Sequence, residues 1–155
     1  MPVRQSRFAV IHIPVGTFVG AMVDVSSGDV PGDVLVVEDD PIIALHFEDI
    51  ILCFGVKTVR TASSVSRALQ LIEERAPDFV LLDIGLVHEK SFAVAERLDA
   101  LGILFAFVSG YAADVALPAT LANRPRLPKP CTNDALEAVL RGAVTGRAQW
   151  TGPVS

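Results

Sequence analysis

The sequence predicts an α/β fold: a doubly wound, five-stranded parallel sheet with helices on both faces. Three observations carry this. Short apolar runs alternate with longer stretches of helical period. The runs lack internal polar alternation, as expected of strands covered on both faces. Strand and helix alternate five times between about residues 33 and 141, a pattern that implies parallel pairing. With 155 residues, 51% of them hydrophobic, the chain has room for one domain with a full core and no second one.

Each element has a local reason. Val34–Val37 is the first strand. Asp40 is placed to cap the following helix, and Pro41 fits its first turn, where no N–H is missed. Ile42, Ile43, Leu45, Phe47, Ile50, Ile51 and Phe54 recur helically, and Gly55 ends the run. Val56–Arg60 reads as a weaker second strand. Ser63 or Ser64 caps a helix whose Val65, Ala68, Leu69 and Ile72 share one face, and Pro77 closes it. "DFVLLDIG" is the third strand, ending in Asp83. Phe92–Leu101 forms the third helix, stopped by Gly102. "ILFAFVSG" is the fourth strand, ending in Ser109. "ADVALPATLAN" is a weak helix broken by Pro118. Pro125–Leu127 is a short fifth strand leading to Lys129, and Thr132 caps a last helix carrying Leu136, Val139 and Leu140.

The predicted domain covers residues 32–141. Residues 142–155, rich in small side chains, are expected to fray. Residues 1–31 are expected to be a poorly packed extension. "FAVIHIPVGTFVGAMV" behind Arg4 and Arg7 leaves other readings open: an extra strand, a targeting segment, or a true start at Met22. The apolar run is too short and too interrupted to predict a membrane span. Net charge is −5 with no long basic block, and Trp, Tyr and His are scarce, which argues against nucleic acid as a partner. Cys53 and Cys131 make no CxxC pair, and they fit reduced thiols in a cytoplasmic protein.

In a parallel sheet all strands deliver their C-terminal ends to one edge, where ligands bind. The first strand brings Glu38 and Asp39, the third Asp83, the fourth Ser109 and the fifth Lys129. Crowded carboxylates repel unless a cation joins them, and Mg²⁺ accepts hard oxygen ligands. A Lys and a Ser among them offer donors to phosphoryl oxygens. An Asp nucleophile, a metal and donors around equatorial oxygens together suit a phosphoryl group in transit.

At these residues the chain resembles the receiver domains of bacterial two-component response regulators. "VLVVEDD", "VLLDIG", "FVSG" and "LPKP" occur in the family's order. Successive gaps are 44 residues from Asp39 to Asp83, 26 to Ser109 and 20 to Lys129. The resemblance implies the flavodoxin-like strand order 2-1-3-4-5. It also implies Asp83 as phosphoacceptor, and Glu38 and Asp39 as the acid pair for Mg²⁺, with Asp83 and the Gly85 backbone carbonyl completing the ligands. Ser109 becomes the switch hydroxyl, Lys129 the conserved-type lysine, and Lys129–Pro130 a cis peptide. "FVSGY", "IALHFEDI", "ASSVSRALQLIEE" and "KSFAVAERL" are similar to the FAT GUY receivers of alphaproteobacteria. That implies a sensor histidine kinase of the HWE or a related class, or a phosphotransfer protein, as partner, and no DNA or membrane. The chain departs from the family pattern at Arg126 and Cys131, where aromatics are usual, and in "LVHEK" after Asp83. Tyr111 reads equally as partner surface or packing. Two other classes stay open: a receiver-like module that binds without phosphorylation, and a small Mg²⁺-dependent phosphohydrolase. The second normally needs a carboxylate two residues after the nucleophile, where this chain has Gly85.

Overall fold

The computed structural model describes residues 8–9, 23–24, 30–86, 89–110 and 117–145. Five parallel strands form the sheet: β1 (Asp33–Val37), β2 (Thr58–Ala62), β3 (Phe79–Asp83), β4 (Leu104–Ser109) and β5 (Arg126–Pro128). Their order is β2-β1-β3-β4-β5, as the resemblance implied. The described helices are α1 (Pro41–Cys53), α2 (Val65–Glu74), α3 (Phe92–Leu101) and α4 (Asn133–Thr145).

Strand alternation divides the core in two. Leu35, Val37, Val80, Leu82, Phe105 and Phe107 face α2 and α3, where they meet Ala68, Ile72, Val94 and Leu98. Val34, Val36, Phe79, Leu81, Ala106 and Val108 face α1 and α4, against Phe47, Ile51, Leu136 and Leu140. Both faces of β3 are fully buried, which is why its sequence is continuously apolar.

The caps predicted from sequence are made at three helices. Asp40 Oδ1 accepts from the Ile42 and Ile43 N–H groups at 2.9 and 3.3 Å. Ser64 Oγ accepts from Arg67 N at 3.1 Å, and Thr132 Oγ1 from Ala135 N at 3.1 Å. Gly102 takes a left-handed φ of 69° behind α3, where a side chain would be strained.

Several elements differ from expectation. The second strand lies two residues later than Val56–Arg60, because Val56 is buried in the α1-side core from the preceding turn rather than from the strand. The fifth strand is Arg126–Pro128, one residue later than predicted. Val30 and Pro31 are buried, Val30 in the α1-side core, so packing begins ahead of Gly32. Helix α4 continues through Thr145, past the expected fraying point at Gly142. Of the weak helix, the described part is one 3₁₀ turn, Ala119–Leu121, after Pro118; residues 111–116, including Tyr111, lie outside the described residues. A two-residue hairpin that the sequence did not signal pairs Gly85–Leu86 with Glu89–Lys90. Phe8–Ala9 pairs antiparallel with Val23–Asp24; the rest of residues 1–29 lies outside the described residues. Among the described residues, no helix is long and apolar enough to cross a membrane.

At the N-terminal edge of the sheet, Asp33 binds the Arg60 guanidinium with both oxygens, at 3.1 and 2.9 Å, and Arg75 Nε at 3.0 Å. Arg60 also donates to the Leu71 and Arg75 carbonyls, both at 2.9 Å, tying β2 to the end of α2. Asp33→Ala leaves a largely buried guanidinium without its carboxylate. It is expected to cost about 1–3 kcal/mol in urea unfolding while leaving the opposite edge intact. A loss below about 0.5 kcal/mol, the usual range for a surface change, would refute this role.

Candidate functional site

Register assembles the site. Val37 pairs with Leu82, so Glu38 leaves β1 beside Asp83 at the end of β3. Asp83 in turn pairs with Val108, and Ser109 with Pro128, which delivers Lys129 one step further. The Lys129 N–H donates to the Ser109 carbonyl at 2.9 Å, and the Ile84 N–H to the Val108 carbonyl at 3.0 Å. The Lys129–Pro130 bond is cis. Glu38, Asp83 and Ser109 are buried at 3%, 6% and 5% exposure, low for two carboxylates and a hydroxyl.

The ammonium of Lys129 joins the acids. Its Nζ donates to Glu38 Oε2 at 2.7 Å and to Asp83 Oδ2 at 3.0 Å. Backbone N–H groups serve the remaining oxygens: Asp40 N to Glu38 Oε1 at 3.2 Å, and Gly85 N to Asp83 Oδ1 at 3.2 Å. Glu38, Asp39 and Asp83 each place a carboxylate oxygen within 4.8 Å of the others. This all-oxygen donor set matches the preference of a hard divalent cation and so fits the Mg²⁺ that the sequence implies. A Cβ on Gly85 would meet nothing within 4 Å, so packing does not require glycine there.

The electrostatics follow from burial. Desolvation raises the Glu38 carboxyl to about 7; the hydrogen bond from Lys129 opposes the rise and Asp83 adds to it. Burial pulls the Lys129 ammonium down, but hydrogen bonds and charge from Glu38 and Asp83 outweigh it and raise its pKa above the ordinary value. Burial also raises the Cys131 thiol, which makes it a poor nucleophile. Between pH 4.5 and about 7 the folded chain retains a Glu38 proton that the unfolded chain releases. In metal-free buffer this contribution to stability is therefore fully present below pH 4.5 and is lost as pH rises through about 7. The expected result in EDTA is a falling urea midpoint across this window, and a flatter profile for Glu38→Gln. Identical slopes for the two proteins would contradict the assignment.

Two clefts flank the cluster. One, of about 330 Å³, is lined by Glu38, Asp39, Ala62 and Ser63 among others. The other, of about 490 Å³, runs between α1 and Lys129–Cys131, with Ile43 and Phe47 on its wall. Ile42 and Leu45, expected to help pack α1, are 78% and 57% exposed, and Leu45 lines the smaller cleft. α1 is apolar nearly all round; Ala44, Phe47 and Ile51 are buried on the sheet, and Ile43 and Ile50 pack partly buried against the same core.

The structure thus brings together Glu38, Asp39, Asp83, Ser109 and Lys129, with Gly85 beside them. Two participants were not anticipated: the Gly85 and Asp40 N–H groups. The sequence offered a signal for one of them, Asp83 two residues before the Gly85 N–H, the spacing of an Asx turn; Glu38 is not an Asx residue, and its bond to the Asp40 N–H has no such signature.

Comparison with known proteins agrees with this geometry. Residues 34–141 match the family model described as response regulator receiver domain. The polar-differentiation response regulator DivK of Brucella anthropi is 35% identical over 68 residues, which is 44% of this chain and 54% of that protein. The chain thus spans about half the length of the curated relatives it matches. The solution structure of SdrG from Sphingomonas melonis Fr1 is 36% identical with a TM-score of 0.62, covering 73% of this chain and 95% of SdrG. The receiver domain of Erythrobacter litoralis PhyR, at 21% identity and TM-score 0.63, covers 77% of this chain and 95% of that one, and supports the fold alone. DivK and SdrG, both from alphaproteobacteria, fit the resemblance to alphaproteobacterial receivers.

Proposed function

The chain belongs to the response regulator receiver family, and from that premise we propose that Asp83 accepts a phosphoryl group from a phosphohistidine. The donor is a sensor histidine kinase, of the HWE or a related class, or a phosphotransfer protein in the same cytoplasm. The observation that carries the reading is the Lys129 ammonium bridging Glu38 and Asp83 in a buried acidic cluster at the strand ends.

An Asp83 carboxylate oxygen attacks phosphorus. The P–N bond of the donor breaks with its electron pair returning to the imidazole, and an acyl phosphate forms. Lys129, already 3.0 Å from Asp83 Oδ2, is placed to exchange that contact for a phosphoryl oxygen. The Ser109 hydroxyl, at the adjacent strand end, supplies a second donor. The Gly85 N–H holds Asp83 Oδ1 and orients the carboxylate. Glu38, Asp39, Asp83 and the Gly85 carbonyl would hold Mg²⁺, which when bound neutralises charge among the carboxylates and phosphoryl oxygens. Ile42 and Leu45, exposed beside the acids, give the donor protein an apolar footing. Output then runs through protein contacts or onward transfer of the phosphoryl group.

Intact mass after incubation with Mg²⁺ and acetyl phosphate tests this. One phosphoryl group is expected, and chelation with EDTA is expected to prevent it. A folded protein that takes no adduct from acetyl phosphate or from any phosphorylated histidine kinase would overturn the proposal.

A further inference from the structure

α3 begins unlike the other described helices. Ser91 occupies its cap position, yet its side chain makes no cap hydrogen bond. Its backbone is at φ −79°, ψ 13°, whereas Asp40 and Ser64, which do cap, have extended ψ values of 114° and 163°. Ser91 is 0% exposed, and its Oγ has no hydrogen-bond partner among the described residues. A buried hydroxyl left without a partner is destabilising, and such groups in a native fold call for a cause.

The contacts on the chain before it supply one. The Ser91 N–H reaches back to the Ile84 carbonyl at 3.4 Å, the far end of hydrogen-bond range. Ile84 directly follows Asp83, and the Gly85 N–H is held by Asp83 Oδ1. Gly85 in turn pairs antiparallel with Lys90, the residue next to Ser91. Asp83 therefore anchors one end of a short closed segment, and Ser91 is held out of cap geometry at the other.

We infer that Ser91 is a two-state helix cap: uncapped while Asp83 is a free carboxylate, and rotated to extended ψ, with its hydroxyl accepting from the Ala93 or Val94 N–H, once Asp83 carries a phosphoryl group. The inference rests on Asp83 being the phosphoacceptor. Converting the carboxylate to an acyl phosphate moves its charge onto the phosphoryl oxygens and leaves a neutral carbonyl, a weaker acceptor for the Gly85 N–H, which loosens the anchored end. The partnerless hydroxyl raises the energy of the uncapped state, and forming the cap favours the other.

Thermal unfolding of the wild type and Ser91→Ala tests this, each with and without Mg²⁺ plus beryllium fluoride, a stand-in for a phosphoryl group on a carboxylate. Without the mimic, Ser91→Ala is expected to melt roughly 2–6 °C higher, because a partnerless buried hydroxyl is gone. With the mimic that advantage should vanish or reverse. In the wild type, the Ala93 or Val94 amide resonance should move on adding the mimic, and in Ser91→Ala it should not. A lower melting temperature for free Ser91→Ala, or the same difference in both states, would overturn the inference. If acetyl phosphate leaves an adduct while the Ser91 results fail, only this inference falls. If no adduct forms and the mimic has no effect on the wild type, the phosphoacceptor reading falls with it.

Discussion

Asp83→Asn is expected to reduce phosphorylation from Mg²⁺ and acetyl phosphate to background, a loss of at least about 100-fold, while the protein stays folded. An amide oxygen lacks the charge and nucleophilicity of a carboxylate. The fold should persist because Asp83 is at the very end of β3, whose preceding residues pair with strands on both sides, and its own backbone pairs with Val108. Asn keeps one acceptor oxygen, enough for the Gly85 N–H on Oδ1, while its NH2 group takes the place of the oxygen that faces Lys129. Removing one of two buried acids relieves repulsion on Glu38, since Asp83 is among the influences raising its pKa. The Glu38 carboxyl in the variant should therefore titrate below the wild-type value of about 7. Intact mass reads the first effect, and carboxyl ¹³C chemical shifts read the second. A phosphorylated Asp83→Asn protein would remove Asp83 from its assigned role.

The second large effect is expected at Lys129. Lys129→Met keeps much of the side-chain length but deletes the cation that contacts Glu38 Oε2 at 2.7 Å and Asp83 Oδ2 at 3.0 Å. Two consequences should move in opposite directions. The acids lose a competing positive charge, so Mg²⁺ should bind about tenfold more tightly, equivalent to about 1.4 kcal/mol. Phosphoryl transfer loses a donor to the developing oxyanion and should slow by about 10². Tighter Mg²⁺ with slower transfer separates a role in the chemistry from one in metal binding. Weaker Mg²⁺ binding in Lys129→Met would contradict the geometry described.

Much of this was legible in the sequence, for an identifiable reason. Val34–Val37 and Phe79–Asp83 are buried on both faces, so their apolar runs are unbroken and their acidic ends conspicuous. The caps at Asp40, Ser64 and Thr132 are local hydrogen bonds between residues two or three apart, which sequence spacing reports directly. What was missed depends on tertiary contacts. Val56 reads as strand but fills the core from a turn. Ile42 and Leu45 read as core but face outward, because periodicity alone cannot choose among apolar faces of a helix apolar nearly all round. The hairpin at Gly85–Lys90 has no β-branched or turn signature in its paired residues. Ser91 has a capping residue's chemistry but not its backbone, a difference no sequence pattern carries. At the site, the residues were legible, while the Gly85 N–H on Asp83 and the double contact of Lys129 required coordinates.

The central claim is that the phosphoryl group resides on Asp83 as an acyl phosphate. Borohydride reduction tests it most directly, because it converts an aspartyl phosphate to homoserine and leaves phosphorylated hydroxyls and free carboxylates unchanged. After Mg²⁺ and acetyl phosphate, tandem mass spectrometry should find homoserine at position 83 and at no other aspartate. Homoserine at another position, or a borohydride-resistant phosphoryl group on a serine or threonine, would contradict it.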